Sequence, residues 1–280
     1  MSTLIERLEN STAPDAVAKP LQRVVRRLVQ PRWVRNTLSG TFLGHPLHPA
    51  LTDVPIGTWL AAAVLDTVGG RSAARGAALL VGTGIVAAVP TALSGLNDWS
   101  DTHGAASRVG VAHASANTVA LALYGASLAA RARCRRGPGR ALGYAGLAAV
   151  LSGASLGGYL AYTQGINVNR TAFEHRPTTW TPVAADGDVG EGQSVRVDAA
   201  GAPVMLHRSD GNLQALAATC THLGGPLEEG EVKDGCVTCP WHGSTFRLED
   251  GSIVRGPASA PQPTYDTRVV DGRVEVRATR

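Results

Sequence analysis

Four long apolar segments fill most of the first part of the chain, and they restrict what it can fold into. Each is about as long as a helix that crosses a bilayer, roughly 20 residues. A soluble helical bundle would need polar faces at helical spacing, and these segments lack them. The sequence therefore predicts four membrane-spanning helices. The predicted spans are 51–68, 76–96, 109–130 and 141–162.

Polar residues of this part collect on one predicted side of the membrane. Ionisable groups at membrane depth are costly, so such a cluster needs a reason. Helix capping and mutual hydrogen bonds are one explanation, and a haem or quinone site is the other. His48 and His113 are the candidate haem ligands, because they fall on two helices at similar depth and neutral imidazole is a common axial ligand. His45 and Asp53 complete the candidate site.

A basic, amphipathic stretch precedes the first span. Its pattern over residues 21–35 predicts a helix lying on the membrane surface. No cleavable signal peptide is expected, because the N-terminus is polar and the first apolar run starts late.

Several segments of the apolar part are similar to a bacterial four-helix membrane domain family of unsettled function. The most specific is LSGTFLGHPLHPALTDVPIGTW at 38–59, followed by GLNDWSDT, RVGVAHASAN and GGYLAYTQGINV. The resemblance covers about residues 35–170 and implies a membrane location and a redox context. Tyr159 stands where relatives often carry His, so the resemblance supplies no metal ligand at the end of the fourth span.

From Trp180 onward the pattern changes to short alternating strands. Asp210-Gly211 and Asp271-Gly272 lie between β-like runs, which is a strong hairpin signal. A stretch of about 100 residues with such spacing predicts a small all-β domain.

Two loops of this domain carry metal-binding residue types, as Cys220-x-His222 and Cys239-x-x-His242. A closed zinc site would use Cys220, Cys236, Cys239 and one histidine, but a single residue between Cys and His is unusual for zinc. A Rieske centre instead takes one Cys and one His from each loop. The glycines and prolines of both loops favour the Rieske centre, because such turns let backbone N–H groups point at bridging sulfides. Cys236 is then an apolar residue of the preceding strand.

Residues 179–278 resemble the Rieske family, including FRLEDGSIVRGPASAPQPTY at 246–265. The resemblance implies a one-electron carrier with a 2Fe-2S cluster. It implies that Cys220 and Cys239 hold the buried iron. It further implies that His222 and His242 hold the outer, solvent-facing iron.

Departures from the high-potential members predict a low reduction potential. Gly225 and Trp241 stand where those members carry a disulfide. Ser244 is kept as a hydroxyl donor to the cluster, whereas Phe246 has no hydroxyl. Because hydrogen bonds to sulfur stabilise the reduced cluster, losing one lowers the potential, toward roughly −150 mV. The loops resemble the ferredoxins of oxygenase systems.

Together these patterns predict a multidomain membrane protein, an all-α four-helix transmembrane bundle followed by a small all-β Rieske domain. The expected parts are a basic amphipathic segment, the four-span domain, a linker and the Rieske domain, at 1–36, 37–168, 169–178 and 179–280. A terminal oxygenase is not expected, because only 38 residues follow His242.

The expected function is that of a membrane-anchored carrier of single electrons. A quinone- or haem-linked oxidoreductase subunit and a redox sensor are the alternatives. The expected partners are the lipid bilayer, a redox protein such as a reductase, oxygenase or cytochrome, and quinone. Nucleic acid is not expected as a partner. The expected location is a bacterial cell membrane, with the Rieske domain on the cytoplasmic side.

Overall fold

The computed structural model describes residues 2–279, and the chain forms two compact units. We call the first, Met1–Gln30 with Leu47–Ile166, the helical unit, and the second, Pro31–Pro46 with Asn167–Arg280, the strand unit. This division differs from the boundaries predicted at 36/37 and 168/169. Residues 31–46, predicted as membrane-surface helix and start of the span domain, group with the strand unit instead.

Within the described residues, seven α-helices precede the first strand. They are α1 Ser2–Asn10, α2 Asp15–Leu28, α3 Arg32–Ser39, α4 Leu47–Val68, α5 Ala74–Trp99, α6 Gly104–Ala132 and α7 Arg136–Gly158. A π-helical turn, Tyr159–Thr163, continues α7. The predicted class, helices followed by a β domain, is confirmed, but the helix count is seven and not four.

In the part of the chain that the structure describes, three stretches are long and apolar enough to cross a membrane, namely Leu47–Val68, Ala74–Trp99 and Arg136–Thr163. They contain the first, second and fourth predicted spans. The third predicted span lies within α6, which is long enough but is not among the three. His113, Ser115, Asn117 and Thr118 interrupt its apolar run.

The core of the helical unit is built on two aromatic side chains. Trp59 of α4 stacks on Tyr124 of α6 with ring centroids 4.2 Å apart. Trp59 Nε1 also donates a hydrogen bond to the carbonyl of Val81, at 3.3 Å. A methyl group at Gly84 would lie 2.3 Å from that nitrogen, so only glycine lets α5 approach the indole. The contact fixes α4, α5 and α6 around one buried cluster.

A buried ion pair joins two of these helices. Arg131 of α6 donates from Nη1 to Asp66 Oδ1 of α4 at 3.0 Å and from Nη2 to Oδ2. The two side chains are 6% and 3% exposed. Burying either charge without the other would carry a large desolvation free energy, so each charge stabilises the other.

The strand unit contains two antiparallel sheets. The six-stranded sheet has the order β1-β10-β9-β4-β3-β2, and the four-stranded sheet the order β5-β6-β7-β8. The strands are β1 Thr181–Ala185, β2 Ser194–Ala199, β3 Ala202–Ser209, β4 Asn212–Ala217, β5 Glu231–Lys233, β6 Cys236–Thr238, β7 Thr245–Arg247, β8 Ile253–Arg255, β9 Thr264–Val270 and β10 Arg273–Ala278.

Both predicted hairpins are confirmed. Asp210 and Gly211 have φ of 51° and 76° between β3 and β4, and Asp271 and Gly272 have 49° and 73° between β9 and β10. Positive φ at both central residues is the type I′ requirement, which Asp-Gly meets at little cost. Each turn therefore fixes the register of its strand pair.

Candidate metal centre

Two tight loops present the four predicted ligands. The first follows β4, where Cys220 N donates to Gly225 O and Gly224 N to Cys220 O, both at 2.9 Å. The second joins β6 to β7, where Cys239 N donates to Ser244 O at 2.8 Å and Gly243 N to Cys239 O at 3.1 Å. Each cysteine is therefore held at both its N–H and its carbonyl.

The loops bring like residues together. Cys220 and Cys239 are 1% and 3% exposed, and their sulfurs are hydrogen-bonded to each other. The rings of His222 and His242 lie edge to face with centroids 5.1 Å apart. The two sulfurs thus form a buried pair, and the two imidazoles form a second pair. Of the two histidines, His222 is buried and His242 is partly exposed, so the imidazole pair reaches nearer to the surface.

The pKa values of the two cysteine thiols are shifted in opposite directions. The hydrogen bond from Cys220 lowers the pKa of Cys239 to about 7, against the opposing effect of burial, and the backbone N–H groups of Trp241 and His242 add to it. The bond to Cys239, and then burial, raise the pKa of Cys220. Burial lowers the pKa of His222, followed by the charges of His242, Arg35 and Arg170. A neutral imidazole is the form that binds a metal.

These donors fit a Rieske cluster. Thiolates hold one iron and neutral imidazoles the other, so the two pairs of the structure match the two halves of the donor set. The backbone N–H groups of Trp241, His242 and His222 point at the cysteine sulfurs, as a negatively charged sulfur requires. When bound, such a cluster accepts and releases one electron.

The zinc alternative finds no support in the geometry. Cys236 lies in β6 opposite Lys233, and its sulfur contacts the carbonyl of Asp234 at 3.6 Å. Within residues 2–279, no group of three or more His, Cys, Asp or Glu could hold a single ion. A closed tetrahedral zinc site needs four such ligands.

Ser244 is oriented by its neighbours. Its side chain is fully buried, and its Oγ accepts a hydrogen bond from the backbone N–H of Ala258 at 3.0 Å. The hydroxyl proton is then directed to the sulfur of Cys220. Phe246, also fully buried, packs in the core cluster that includes both cysteines and offers no such donor.

Gly225 and Trp241 face each other across the two loops. A methyl group at Gly225 would lie 3.1 Å from Trp241 Cγ and 2.7 Å from Cys239 Sγ. The Trp241 side chain is 57% exposed. The indole of Trp241 therefore lies over Gly225. Because Gly225 has no side chain, it leaves space for the sulfur of Cys239.

Several positioning residues carry no motif that the sequence analysis used. Gln262 accepts from Thr221 N at 3.2 Å and donates to the carbonyls of Ala217 and Thr219 at 2.8 and 2.7 Å. It therefore ties the first loop to the end of β4. The segment 246–265, which contains Gln262, was quoted only for its resemblance, and a lone glutamine gives no sequence signal of its own.

The helical unit brings together two of the four residues predicted for a haem or quinone site. The rings of His48 and His113 lie edge to face with centroids 6.2 Å apart. His48 Nδ1 contacts the carbonyl of Thr91 at 2.9 Å, and His113 Nδ1 that of Gly153 at 2.8 Å. Because a carbonyl only accepts, Nδ1 carries the proton in both rings and Nε2 is the basic nitrogen.

The other two predicted residues are both exposed. Asp53 is exposed on α4, and His45 is exposed and belongs to the strand unit, where its Nδ1 contacts the carbonyl of Pro46 at 3.0 Å. Tyr159 donates its hydroxyl to Glu9 Oε1 at 2.8 Å. Glycines make room for both imidazoles, since a methyl at Gly95 would lie 2.7 Å from His48 Cε1.

Fold and site together define an iron–sulfur electron-transfer domain joined to a membrane-type helical domain. Residues 179–266 match the family described as Rieske 2Fe-2S domain, and residues 44–170 match the family described as predicted membrane protein (DUF2231). The chain belongs to the Rieske family through its strand unit and carries the second family's domain ahead of it.

The chain is similar over part of its length to several known proteins. The anthranilate 1,2-dioxygenase ferredoxin subunit from Burkholderia cepacia is 34% identical over 97 residues, which are 35% of this chain and 90% of that protein. Apoptosis-inducing factor 3 from Homo sapiens is 31% identical over 93 residues, and the chain spans 15% of its length. Among solved structures, one chain in a complex of reduced oxygenase and oxidised ferredoxin in carbazole 1,9a-dioxygenase is 29% identical, with a TM-score of 0.35. The match covers 37% of this chain and 98% of that chain.

Proposed function

We propose that this protein is a membrane-anchored Rieske iron–sulfur protein that carries single electrons, with Cys220, His222, Cys239 and His242 as the cluster ligands. The observation that carries the proposal is the pairing of two buried sulfurs beside two imidazoles, each loop giving one of each. The similarity to a dioxygenase ferredoxin subunit supports a carrier role over a complete oxygenase.

Spectroscopy of the purified full-length protein tests the ligand set. We expect the absorption and reduced-state EPR signal of a Rieske cluster, lost in His222→Ala and in Cys239→Ser. The matched control is Cys236→Ala, which removes the cysteine three residues before Cys239 and should leave the signal intact. Loss of the signal in Cys236→Ala, or its survival in Cys239→Ser, would refute the assignment.

The redox partner follows from the same similarity. We propose a reductase, an oxygenase or a cytochrome as the protein partner, reached through the end of the domain that carries His242 and the exposed Trp241. Trp241→Ala should slow electron transfer to the partner while leaving the EPR signal unchanged. Equal electron-transfer rates in the wild type and in Trp241→Ala would show that Trp241 is not part of the docking surface.

A second redox centre in the helical unit is proposed on the His48–His113 pair. Each Nδ1 is committed to a backbone carbonyl, which fixes the ring and leaves Nε2 to bind haem iron or a quinone oxygen. Asn117 Nδ2 lies 3.3 Å from His113 Nε2 and competes with a ligand there. A Soret band in the purified protein, absent in His48→Ala, identifies haem; quinone extracted from the wild type but not from His48→Ala identifies quinone. If well-loaded protein contains neither haem nor quinone, the proposed site is refuted.

The membrane and its sidedness belong to the same proposal. We place the protein in a bacterial cell membrane through the three apolar helices, with the Rieske domain in the cytoplasm. Protease added to intact spheroplasts should then spare the Rieske domain and cut it once the membrane is permeabilised. Cleavage before permeabilisation would reverse the orientation.

A further inference from the structure

Two segments of the strand unit adjoin membrane-length stretches in the chain. Residues 31–46, which we call the leading segment, end where the stretch Leu47–Val68 begins. Residues 167–178, which we call the connecting segment, begin four residues after the end of the stretch Arg136–Thr163. Side chains that these segments expose are therefore separated from the proposed spans by only a few residues of chain.

Exposed apolar side chains are concentrated on these two segments. Of the eight exposed large apolar side chains that the structure describes in the strand unit, five lie here. They are Trp33, Phe42, Leu43, Val168 and Phe173. Trp33, Phe42 and Phe173 are 75%, 68% and 94% exposed, so most of each ring has no protein neighbour. Large apolar side chains exposed together mark an interaction surface.

The charge of the two segments indicates what they contact. They carry four arginines and one glutamate, whereas residues 179–280 carry nine Lys and Arg against fourteen Asp and Glu. Three of the four arginines are exposed, namely Arg32, Arg170 and Arg176. Basic residues beside a membrane span are attracted to anionic lipid headgroups, and tryptophan is enriched at the membrane–water interface. A basic, aromatic edge on an otherwise acidic domain therefore complements an anionic lipid surface.

The leading segment is hydrogen-bonded to the part of the strand unit that supports the second metal loop. Asn36 Nδ2 donates to the carbonyl of Val254 at 3.2 Å, and Gly256 N donates to Asn36 Oδ1 at 2.9 Å. Between these two partners, Arg255 donates from Nη1 to the carbonyl of Gly243 in the loop from β6 to β7, at 3.0 Å. The leading segment is thus joined to that loop through one residue.

The connecting segment is hydrogen-bonded directly to the first metal loop. Arg170 N donates to the carbonyl of Thr221, which lies between the two proposed ligands of that loop, at 3.1 Å. Asn169 Oδ1 accepts from Thr171 N at 3.0 Å and from Thr171 Oγ1 at 2.9 Å. These bonds order the turn that presents Phe173 to the surroundings.

We propose that the apolar side chains of the leading and connecting segments insert into the lipid interface, with the exposed arginines against anionic headgroups. The strand unit then contacts the membrane through its own surface as well as being tethered to the apolar helices. Because each segment is hydrogen-bonded toward one metal loop, this contact fixes the position of the metal centre relative to the membrane. The inference rests on the proposed placement of the chain in a membrane.

Fluorescence quenching by lipid tests the contact in the full-length protein. The protein is placed in nanodiscs of phosphatidylcholine and phosphatidylglycerol, with and without bromine on the acyl chains. The fluorescence that Phe173→Trp adds should be largely lost in the brominated nanodiscs. The matched control is Val270→Trp, at an exposed apolar position of β9, whose added fluorescence should be kept. Comparing brominated with unbrominated nanodiscs cancels any quenching by the metal centre.

The native Trp33 gives a second measurement without a new side chain. The fluorescence that Trp33→Phe removes should be a component that brominated lipid quenches in the wild type. Quenching in Phe173→Trp should weaken when phosphatidylglycerol is omitted, and Arg32→Gln with Arg176→Gln should remove this difference.

Unquenched fluorescence from both Phe173→Trp and Trp33, or equal quenching in Val270→Trp, would overturn the inference. Equal quenching with and without phosphatidylglycerol would overturn the assignment of anionic lipid. If Phe173→Trp does not assemble, the comparison of the wild type with Trp33→Phe decides. Wild-type protein that does not enter nanodiscs at all would instead refute the proposed membrane placement.

Discussion

Replacing Ser244 with alanine should lower the reduction potential of the cluster. The hydroxyl accepts from Ala258 N–H, so its single proton is directed to the sulfur of Cys220. A hydrogen bond to sulfur is stronger when the cluster carries the extra electron, because the acceptor is then more negative. The alanine variant loses this bond in both redox states, but it loses more in the reduced one.

The size of the shift follows from the burial of the group. Ser244 is fully buried, so water does not replace the lost donor. Hydrogen bonds to charged groups contribute about 1.5–3 kcal/mol. If about 1.4 kcal/mol of this distinguishes the two redox states, the equilibrium constant for reduction falls tenfold, about 59 mV for one electron. Ala258 N–H loses its acceptor at the same time, which should lower stability by about 1 kcal/mol.

Protein-film voltammetry of the wild type and of Ser244→Ala measures the shift. Ser209→Ala, a half-buried serine of β3 in the six-stranded sheet, is the matched control and should leave the potential unchanged. The EPR signal must be present in all three proteins for the comparison to hold. An unchanged or higher potential in Ser244→Ala would refute the argument that this hydroxyl donates to the cluster.

Three further variants have expected outcomes. Phe246→Tyr should raise the potential in the same voltammetry, because it adds a hydrogen-bond donor beside the cysteines. The added hydroxyl overpacks the core and should lower the stability of the domain by about 1–3 kcal/mol. An unchanged potential would show that the hydroxyl does not reach the cysteine sulfurs. Tyr265→Phe should raise thermal stability by about 1 kcal/mol, because the buried Tyr265 hydroxyl has no partner within residues 2–279; a lower melting temperature would contradict this. Asp66→Asn should lower the stability of the detergent-solubilised protein by about 3–5 kcal/mol by leaving Arg131 buried and unpaired, whereas the exposed control Asp53→Asn should not; equal melting temperatures would refute it.

Local chemistry explains what the sequence predicted well. The Asp-Gly hairpins follow from the backbone preferences of two residues, and the Rieske assignment from short loops whose spacing is particular to that cluster. The three confirmed membrane-length helices are continuous apolar runs. In each case the signal lies within about 20 consecutive residues, where periodicity and composition act directly.

Long-range contacts explain what the sequence did not predict. Asn36 pairs with Val254 and Gly256 through single hydrogen bonds, more than 200 residues away, and such bonds leave no periodic pattern. The membrane-surface helix over residues 21–35 was predicted from its basic, amphipathic pattern and stays a prediction. His45 was grouped with His48 because both fall on the same predicted side of the membrane, yet the boundary between the two compact units falls between them.

The chain passes from one unit to the other three times, after Gln30, Pro46 and Ile166. A Rieske domain cut out as residues 167–280 would therefore lack residues 31–46 and the hydrogen bonds that Asn36 makes with Val254 and Gly256. The peptide that contains Gly256 should then exchange its amide hydrogens faster in the excised domain than in the full-length protein, and an added peptide of residues 31–46 should slow this exchange.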